Sequence, residues 1–199
     1  MNAAAQYNGD SLLPLQERIA CGDSAAFRQL FHLFYTRLSQ FATSIIKSEE
    51  IAGEVVDEVF VRLWTNRSTI GSIQNLRVYL YQAVKNESLN YLSRKAHQHI
   101  YEPFDDIYIQ LNDDLSPERL MITQELISKI RAAVDALPPR CKMVFKLVRE
   151  DGLKYREVAE ILNLSHKTVD AQMVIAIGRI REALKEEMHL FPRIFFQKK

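Results

Sequence analysis

The apolar residues of this chain recur at intervals of three and four and nowhere alternate for long, which restricts it to helices. Phe27, Leu30, Phe31, Phe34, Leu38, Phe41 and Ile45 mark one stripe on a helix of about five turns. Val55, Val59 and Leu63, with Val56, Phe60 and Trp64 beside them, predict a second helix over 50–65. A third begins at a capping Asn75 and runs toward Arg94, with Leu76, Tyr79, Leu80, Ala83, Val84, Tyr91 and Leu92 inward. A turn containing Gly71 joins the last two, and three such helices can enclose one small core.

A second helical block follows. One helix runs from about Pro117 to Ala136 and is ended by Pro138 and Pro139. Met143, Val144, Leu147 and Val148 mark the next, which stops at Asp151-Gly152. A short helix over 155–162 carries Val158, Ala159, Ile161 and Leu162, and a longer one resumes from His166. The expected fold class is therefore all-α, in two small helical domains. The boundaries are a flexible N-terminus (1–23), a first domain (24–97), an acidic linker (98–118), a second domain (119–187) and a C-terminal tail (188–199).

Residues 153–184 carry the most specific pattern. Ala159 is small where two helices would cross, Asn163 tolerates a left-handed turn, and Leu164 plugs the core. Ser165 can accept the Thr168 amide as an N-cap, and Val169, Met173, Ile177, Ile180 and Leu184 form an inward stripe. Together these offsets describe a DNA-binding helix-turn-helix whose second helix enters the major groove. His166, Lys167, Asp170, Ala171 and Gln172 are its exposed candidates; Gln172 suits adenine and Asp170 suits cytosine. Lys142, Lys146, Arg149, Lys154, Arg156 and Arg179 are the candidate phosphate contacts. Lys154 occupies a cap position that Ser or Thr would serve better, at a cost of about 1 kcal/mol. Val174 and Ile175 fit two readings: packing against the preceding helices or the segment 190–196, or an exposed patch for a partner.

The formal charge of +1 argues against a non-specific nucleic-acid coat, yet it hides an order along the chain. Residues 1–100 hold 10 basic and 9 acidic side chains, 101–135 hold 3 and 8, and 136–199 hold 13 and 8. The acidic run suits a solvated linker, or a segment that mimics or repels nucleic acid while the basic block is free. Between Arg67 and Lys95 five basic residues face one acid. There Gln82, Lys85, Asn86, Asn90, Ser93, Arg94 and Lys95 offer amides for base edges and cations for phosphates, as unpaired DNA requires. Tyr81 and Tyr91 are either core residues or stacking platforms. The preceding helix has the opposite character: Glu50, Glu54 and Glu58 line one face with Asp57 alongside. That stripe is either a solvated face or a dock for a basic protein groove, with Phe60, Leu63 or Trp64 anchoring at its edge.

Other classes find little support. No stretch approaches eighteen apolar residues, which excludes a membrane span, and the expected location is cytoplasmic. Cys21 and Cys141 read as buried thiols, not a disulfide framework. No glycine-rich phosphate loop occurs, and His97 with His99 lacks partners at ligand spacing, so neither an enzyme nor a cofactor or metal is expected. A stand-alone two-lobed regulator of duplex DNA remains an alternative, and a helical adaptor without DNA contact a more remote one.

In this order the segments resemble the bacterial RNA polymerase sigma-70 family, in its extracytoplasmic-function (ECF) group, in the form common in Bacteroidetes. AFRQLFHLFYTRLSQFATSII (26–46) is similar to the start of sigma domain 2, and EEIAGEVVDEVFVRLW (49–64) to its polymerase-binding helix. NLRVYLYQAVKNESLNYLSRK (75–95) resembles the promoter-melting helix that reads the −10 element. ALPPRCKMVFKL (136–147) and the helix-turn-helix resemble the halves of domain 4, which reads the −35 element. The resemblance implies that Glu54, Asp57, Glu58, Phe60, Leu63 and Trp64 dock on the clamp helices of the largest polymerase subunit. It places Gln82, Lys85, Asn86, Asn90, Arg94 and Lys95 near the −10 strand. Lys154, Arg156, Ser165, His166, Lys167, Thr168, Asp170, Ala171, Gln172 and Arg179 would meet the −35 duplex, with domain 4 also touching the flap of the second-largest subunit. It also implies an anti-sigma factor as a partner. Asp57, Asn90, Gln172, Val174 and Ile175 depart from the residues usual in the family.

Overall fold

The computed structural model describes residues 12–96 and 120–185, with side chains described over 12–95 and 128–185. Eight α-helices account for nearly all of it: α1 (Leu13–Ala20), α2 (Ser24–Ile46), α3 (Glu49–Thr65), α4 (Leu76–Ala96), α5 (Leu120–Asp135), α6 (Pro139–Arg149), α7 (Tyr155–Leu162) and α8 (His166–Ala183). A 3-10 turn at Arg67–Ser72 carries buried Ile70 between α3 and α4. The acidic 98–118 segment, His97, His99 and the 188–199 tail lie outside the described residues.

The first lobe packs α2, α3 and α4 around Leu30, Phe34, Leu38, Phe41, Val56, Phe60, Leu80 and Val84. Its helices begin where short polar side chains replace missing backbone partners. Asp23 accepts from the Ala25 and Ala26 amides, Ser48 from Ile51, and Asn75 from Val78. Expectation fails at the start of the chain: residues 13–20 are helical, not flexible. Leu12, Leu15 and Ile19 enter the core, and the Gln16 amide donates to the Ile70 and Ile73 carbonyls at 2.9 Å each. Tyr79, expected inward, is exposed, and so is Cys21, whereas Cys141 is buried.

The second lobe has its own small cluster where α5, α6 and α8 meet: Ala133, Val134, Leu137, Cys141, Ala176, Ile180 and Leu184. The core beneath α6, α7 and α8 is continuous with that of the first lobe, since Met143, Val144, Leu147, Val158 and Ile161 belong to the same buried cluster as Leu38 and Tyr81. The two lobes therefore form one packed body.

The turn between α7 and α8 follows the sequence closely. Asn163 sits at φ 55°, ψ 45°, in the left-handed region, and the Leu164 amide closes the helix on the Ala159 carbonyl at 2.8 Å. Ser165 then caps α8 by accepting the Thr168 amide at 3.0 Å. The missing Ser or Thr at Lys154 is offset from the other side, because Glu157 accepts the Lys154 amide at 2.8 Å. Asn163→Ala is expected to cost about 1 kcal/mol through the left-handed backbone alone. Urea unfolding of the two proteins measures it.

Candidate protein and nucleic-acid interfaces

On α3 the acids face outward: Glu50, Glu54, Asp57 and Glu58 are all exposed. Val61, 64% exposed, interrupts the same face one turn on, so the surface combines negative charge with an aliphatic centre. Phe60 and Leu63 are not at its edge. Both are buried, Phe60 against Phe27 and Phe31, because α3 is covered over a wide arc by α2 and α4. Trp64 is half-buried, its ring 4.9 Å from Phe27 with the Arg67 guanidinium over its face. The exposed apolar side chain of this face that sequence reading missed is Val61. Its exposure follows from its lying opposite the two adjoining buried stripes, Val55–Val59–Leu63 and Val56–Phe60.

Arg62 bridges this face to the next helix. It pairs with Glu58 at 2.5 Å and with the buried Glu87 of α4 at 2.9 Å, and these bonds raise its pKa, that to Glu58 most. Glu87 also takes Arg94 at 3.6 Å, so the one acid of α4 is neutralised from both sides. The outer surface of α4 is left cationic and amide-rich: Asn86, Asn90, Ser93, Arg94 and Lys95 are exposed.

The opposite face of α4 is covered. Arg77, Tyr81 and Lys85 recur every four residues, and the second lobe lies against them. The Lys85 ammonium donates to the Ile161 carbonyl at 2.6 Å and is 6% exposed, and burial lowers its pKa. Gln82 donates to the Glu160 carbonyl at 3.3 Å. Arg77 pairs with Glu157 at 2.5 Å, and Asn75 donates to the same carboxylate at 3.1 Å. Burial pushes the Glu157 carboxyl up, but the Lys154 amide, Asn75 and Arg77 together hold it below its ordinary value. Arg37 of α2 donates to the Asp151 carbonyl at 3.1 Å, and the Tyr81 hydroxyl bonds the Asp151 carboxylate. Lys85 and Gln82, expected to face DNA, here face the first helix of the helix-turn-helix. Tyr81 is a fully buried core residue against Phe41, not a stacking platform, while Tyr91 is half-buried beneath Lys95.

The helix-turn-helix keeps its reading side open. Lys154, Arg156, Ser165, His166, Lys167, Ala171 and Arg179 are exposed, and Thr168 and Asp170 are half-buried. Two expected phosphate contacts are not available: Lys142 pairs with Asp135 at 3.2 Å and Lys146 with Glu150 at 3.3 Å, both with buried side chains. Gln172 does not point outward, because its amide oxygen accepts the Cys141 thiol. Val174 and Ile175 are exposed and not packed into the preceding helices, while the 190–196 segment offered as their other cover lies outside the described residues. No group of three or more His, Cys, Asp or Glu among the described residues could hold a metal ion, and no helix there is long and apolar enough to cross a membrane.

Comparison with known proteins follows the same division. Residues 30–98 match the family model for sigma-70 region 2, and residues 127–177 match that for sigma-70, region 4. The ECF RNA polymerase sigma-E factor of Escherichia coli K12 is 25% identical over 181 residues, spanning 87% of this chain and 92% of that protein. The Haemophilus influenzae protein of the same name is 25% identical over 184 residues, with 87% and 93% covered. Among solved structures, CnrH in complex with the cytosolic domain of CnrY aligns with a TM-score of 0.54 at 19% identity, covering 87% of this chain and 97% of that one. The sigma factor RpoE in complex with the anti-sigma factor NepR, from Bartonella quintana, gives 0.56 at 18% identity, covering 80% and 96%.

Proposed function

The chain belongs to the sigma-70 family, in its ECF group, and we propose how its surfaces divide the work of directing RNA polymerase to promoters. The acidic face of α3, with Glu54, Asp57, Glu58 and Val61, docks on the clamp helices of the largest polymerase subunit, with Trp64 at its margin. The cationic, amide-rich side of α4 receives the unpaired −10 strand through Asn86, Asn90, Arg94 and Lys95. Gln82 and Lys85 join it once the second lobe has moved away. The helix-turn-helix holds the −35 duplex, with Lys154, Arg156 and Arg179 on phosphates, while the second lobe also meets the flap of the second-largest subunit. The protein makes or breaks no covalent bond. Binding energy on the opened strand offsets lost stacking, about 1.4 kcal/mol per base-pair step.

The observation that carries this reading is the covered face of α4: Lys85 and Gln82 spend their hydrogen bonds on α7 carbonyls while the α3 acids stay open. A chain in this arrangement can meet polymerase before it can hold a melted strand, so docking precedes −10 capture. One of the solved neighbours is described as a sigma factor in complex with an anti-sigma factor, and the other as a complex with the cytosolic domain of a second protein. That supports an anti-sigma factor for this chain too, acting in the cytoplasm by holding one of these faces shut. Reconstituted core polymerase, assayed for start-site-specific RNA with and without the protein, tests the reading, and equal transcripts would end it. Reversing Glu54, Asp57 and Glu58 to lysine is expected to cut the transcript at least tenfold, about 1.4 kcal/mol of docking energy. Co-purification with core polymerase should fall in parallel.

A further inference from the structure

The outward side of α8 is not the polar reading surface its position leads one to expect. Lys167, Ala171, Val174 and Gly178 fall at intervals of four, three and four and are all exposed, so they form one line along the helix, with Ile175 beside it. Val174 is 59% exposed and Ile175 43%, while Val169, Met173, Ala176 and Ile180 face the core. Past the first turn, the polar candidates have turned aside: Gln172 binds Cys141, and Asp170 is half-buried. A branched aliphatic pair therefore stands in the middle of a helix whose N-terminal end is capped for entry into a groove. Exposed cations flank it on the same helix, Lys167 two turns before Val174 and Arg179 one turn after Ile175, and Lys154 and Arg156 are exposed at the start of the helix-turn-helix.

The geometry points to a hydrophobic reading code: Ala171, Val174 and Ile175 select thymine methyl groups in the major groove of the −35 duplex. This rests on the helix-turn-helix acting as the −35 reader. The occupant follows from chemistry. The flanking cations call for a polyanion, and the 5-methyl of thymine is the apolar group that duplex DNA exposes in its major groove. From Ala171 to Ile175 the helix rises about 6 Å. That matches roughly two base-pair steps of 3.4 Å, so two thymines two base pairs apart, on either strand, are specified.

The test uses the complete holoenzyme and a duplex library randomised across the −35 region. Selected sequences should be enriched in thymines at two fixed positions two base pairs apart. Replacing those thymines with uracil deletes only the methyl groups, and each replacement is expected to weaken binding about fourfold, the worth of one buried methyl-sized group. Uracil at unselected positions should have no effect. Val174→Ala and Ile175→Ala should each shrink the thymine-to-uracil ratio toward one. Equal binding of thymine and uracil duplexes, with the −35 region still protected, overturns the code and leaves the helix-turn-helix reading intact. That result is also what a protein partner, or the chain's own 190–196 segment, on the stripe would give. Absence of any −35 protection overturns both. The thymine-to-uracil comparison needs no variant, so it stands even where a substituted chain misfolds.

Discussion

Glu157→Gln is expected to shift the balance between packed and separated lobes by roughly two to four orders of magnitude. Arg77 and Glu157 face each other across the lobe boundary at 2.5 Å, both almost completely enclosed. Of the guanidinium nitrogens, Nε and Nη1 have no hydrogen-bond partner, and Nη2 reaches only the carboxylate and, at 3.5 Å, the Gly152 carbonyl. Removing the negative charge leaves a cation enclosed with almost nothing to balance it, and such breakage costs about 3–5 kcal/mol. Separation of the lobes relieves that cost by returning Arg77 to water. Glutamine can still accept the Lys154 amide, so α7 keeps its N-terminal closure and the effect is confined to the boundary. Lys85 reports the outcome, because its ammonium is sealed only while α7 lies on α4. Amine-directed labelling of Lys85, read by mass spectrometry, should accelerate in the variant with helical content unchanged. Labelling at the original rate would show that the pair does not hold the lobes together.

The same boundary marks where sequence reading succeeds and where it stops. Helix positions were legible because burial in each helix obeys its own period: Leu30, Phe34, Leu38, Phe41 and Ile45 all lie in the core, as their spacing requires. The turn at Asn163 and the cap at Ser165 were legible because each depends on its own backbone and on neighbours within a few residues. Lys85, Gln82 and Arg77 were not, because polarity predicts solvent unless a distant segment supplies partners, and those partners are 75 to 80 residues away. A trace of the signal existed. Arg77, Tyr81 and Lys85 share one face, and an aromatic between two cations at i, i+4 and i+8 is an unusual solvent stripe. Helix α1 was obscured by its polar flank, although Leu12, Leu15 and Ile19 keep helical spacing and Pro14 suits a first turn. On α3 and α8 the errors run in opposite directions. Phe60 and Leu63 looked like anchors but are core, while Val61, Val174 and Ile175 are exposed because no element among the described residues covers their helix face.

Lobe packing should also loosen as pH rises from 5 to 7, by about tenfold in the ratio of open to closed molecules. Asp151 ends the segment that α2 and α4 cover, is 3% exposed, and has one carboxylate oxygen without a hydrogen-bond partner. Burial pushes its pKa from the ordinary 3.8 up to about 6, against the pull of Lys146, Arg37 and the Tyr81 hydroxyl. An acid whose pKa is higher in the closed form favours closure while it carries its proton. That contribution is complete below 3.8 and is lost as pH climbs through about 6. Over the whole range it amounts to about 3 kcal/mol, of which close to half falls between pH 5 and 7. Glu150, also raised by burial, moves in the same direction. Glu157 opposes them only at lower pH, because its depressed pKa places its loss of charge below the ordinary 4.5. Asp151→Asn, which cannot ionise, should remove most of the dependence and leave the lobes more firmly closed at pH 7. Small-angle scattering and Lys85 labelling across pH 5 to 8 provide the measurement. A radius of gyration and a labelling rate, corrected for intrinsic amine reactivity, that stay flat in the unsubstituted protein would show that Asp151 remains enclosed whichever way it is charged.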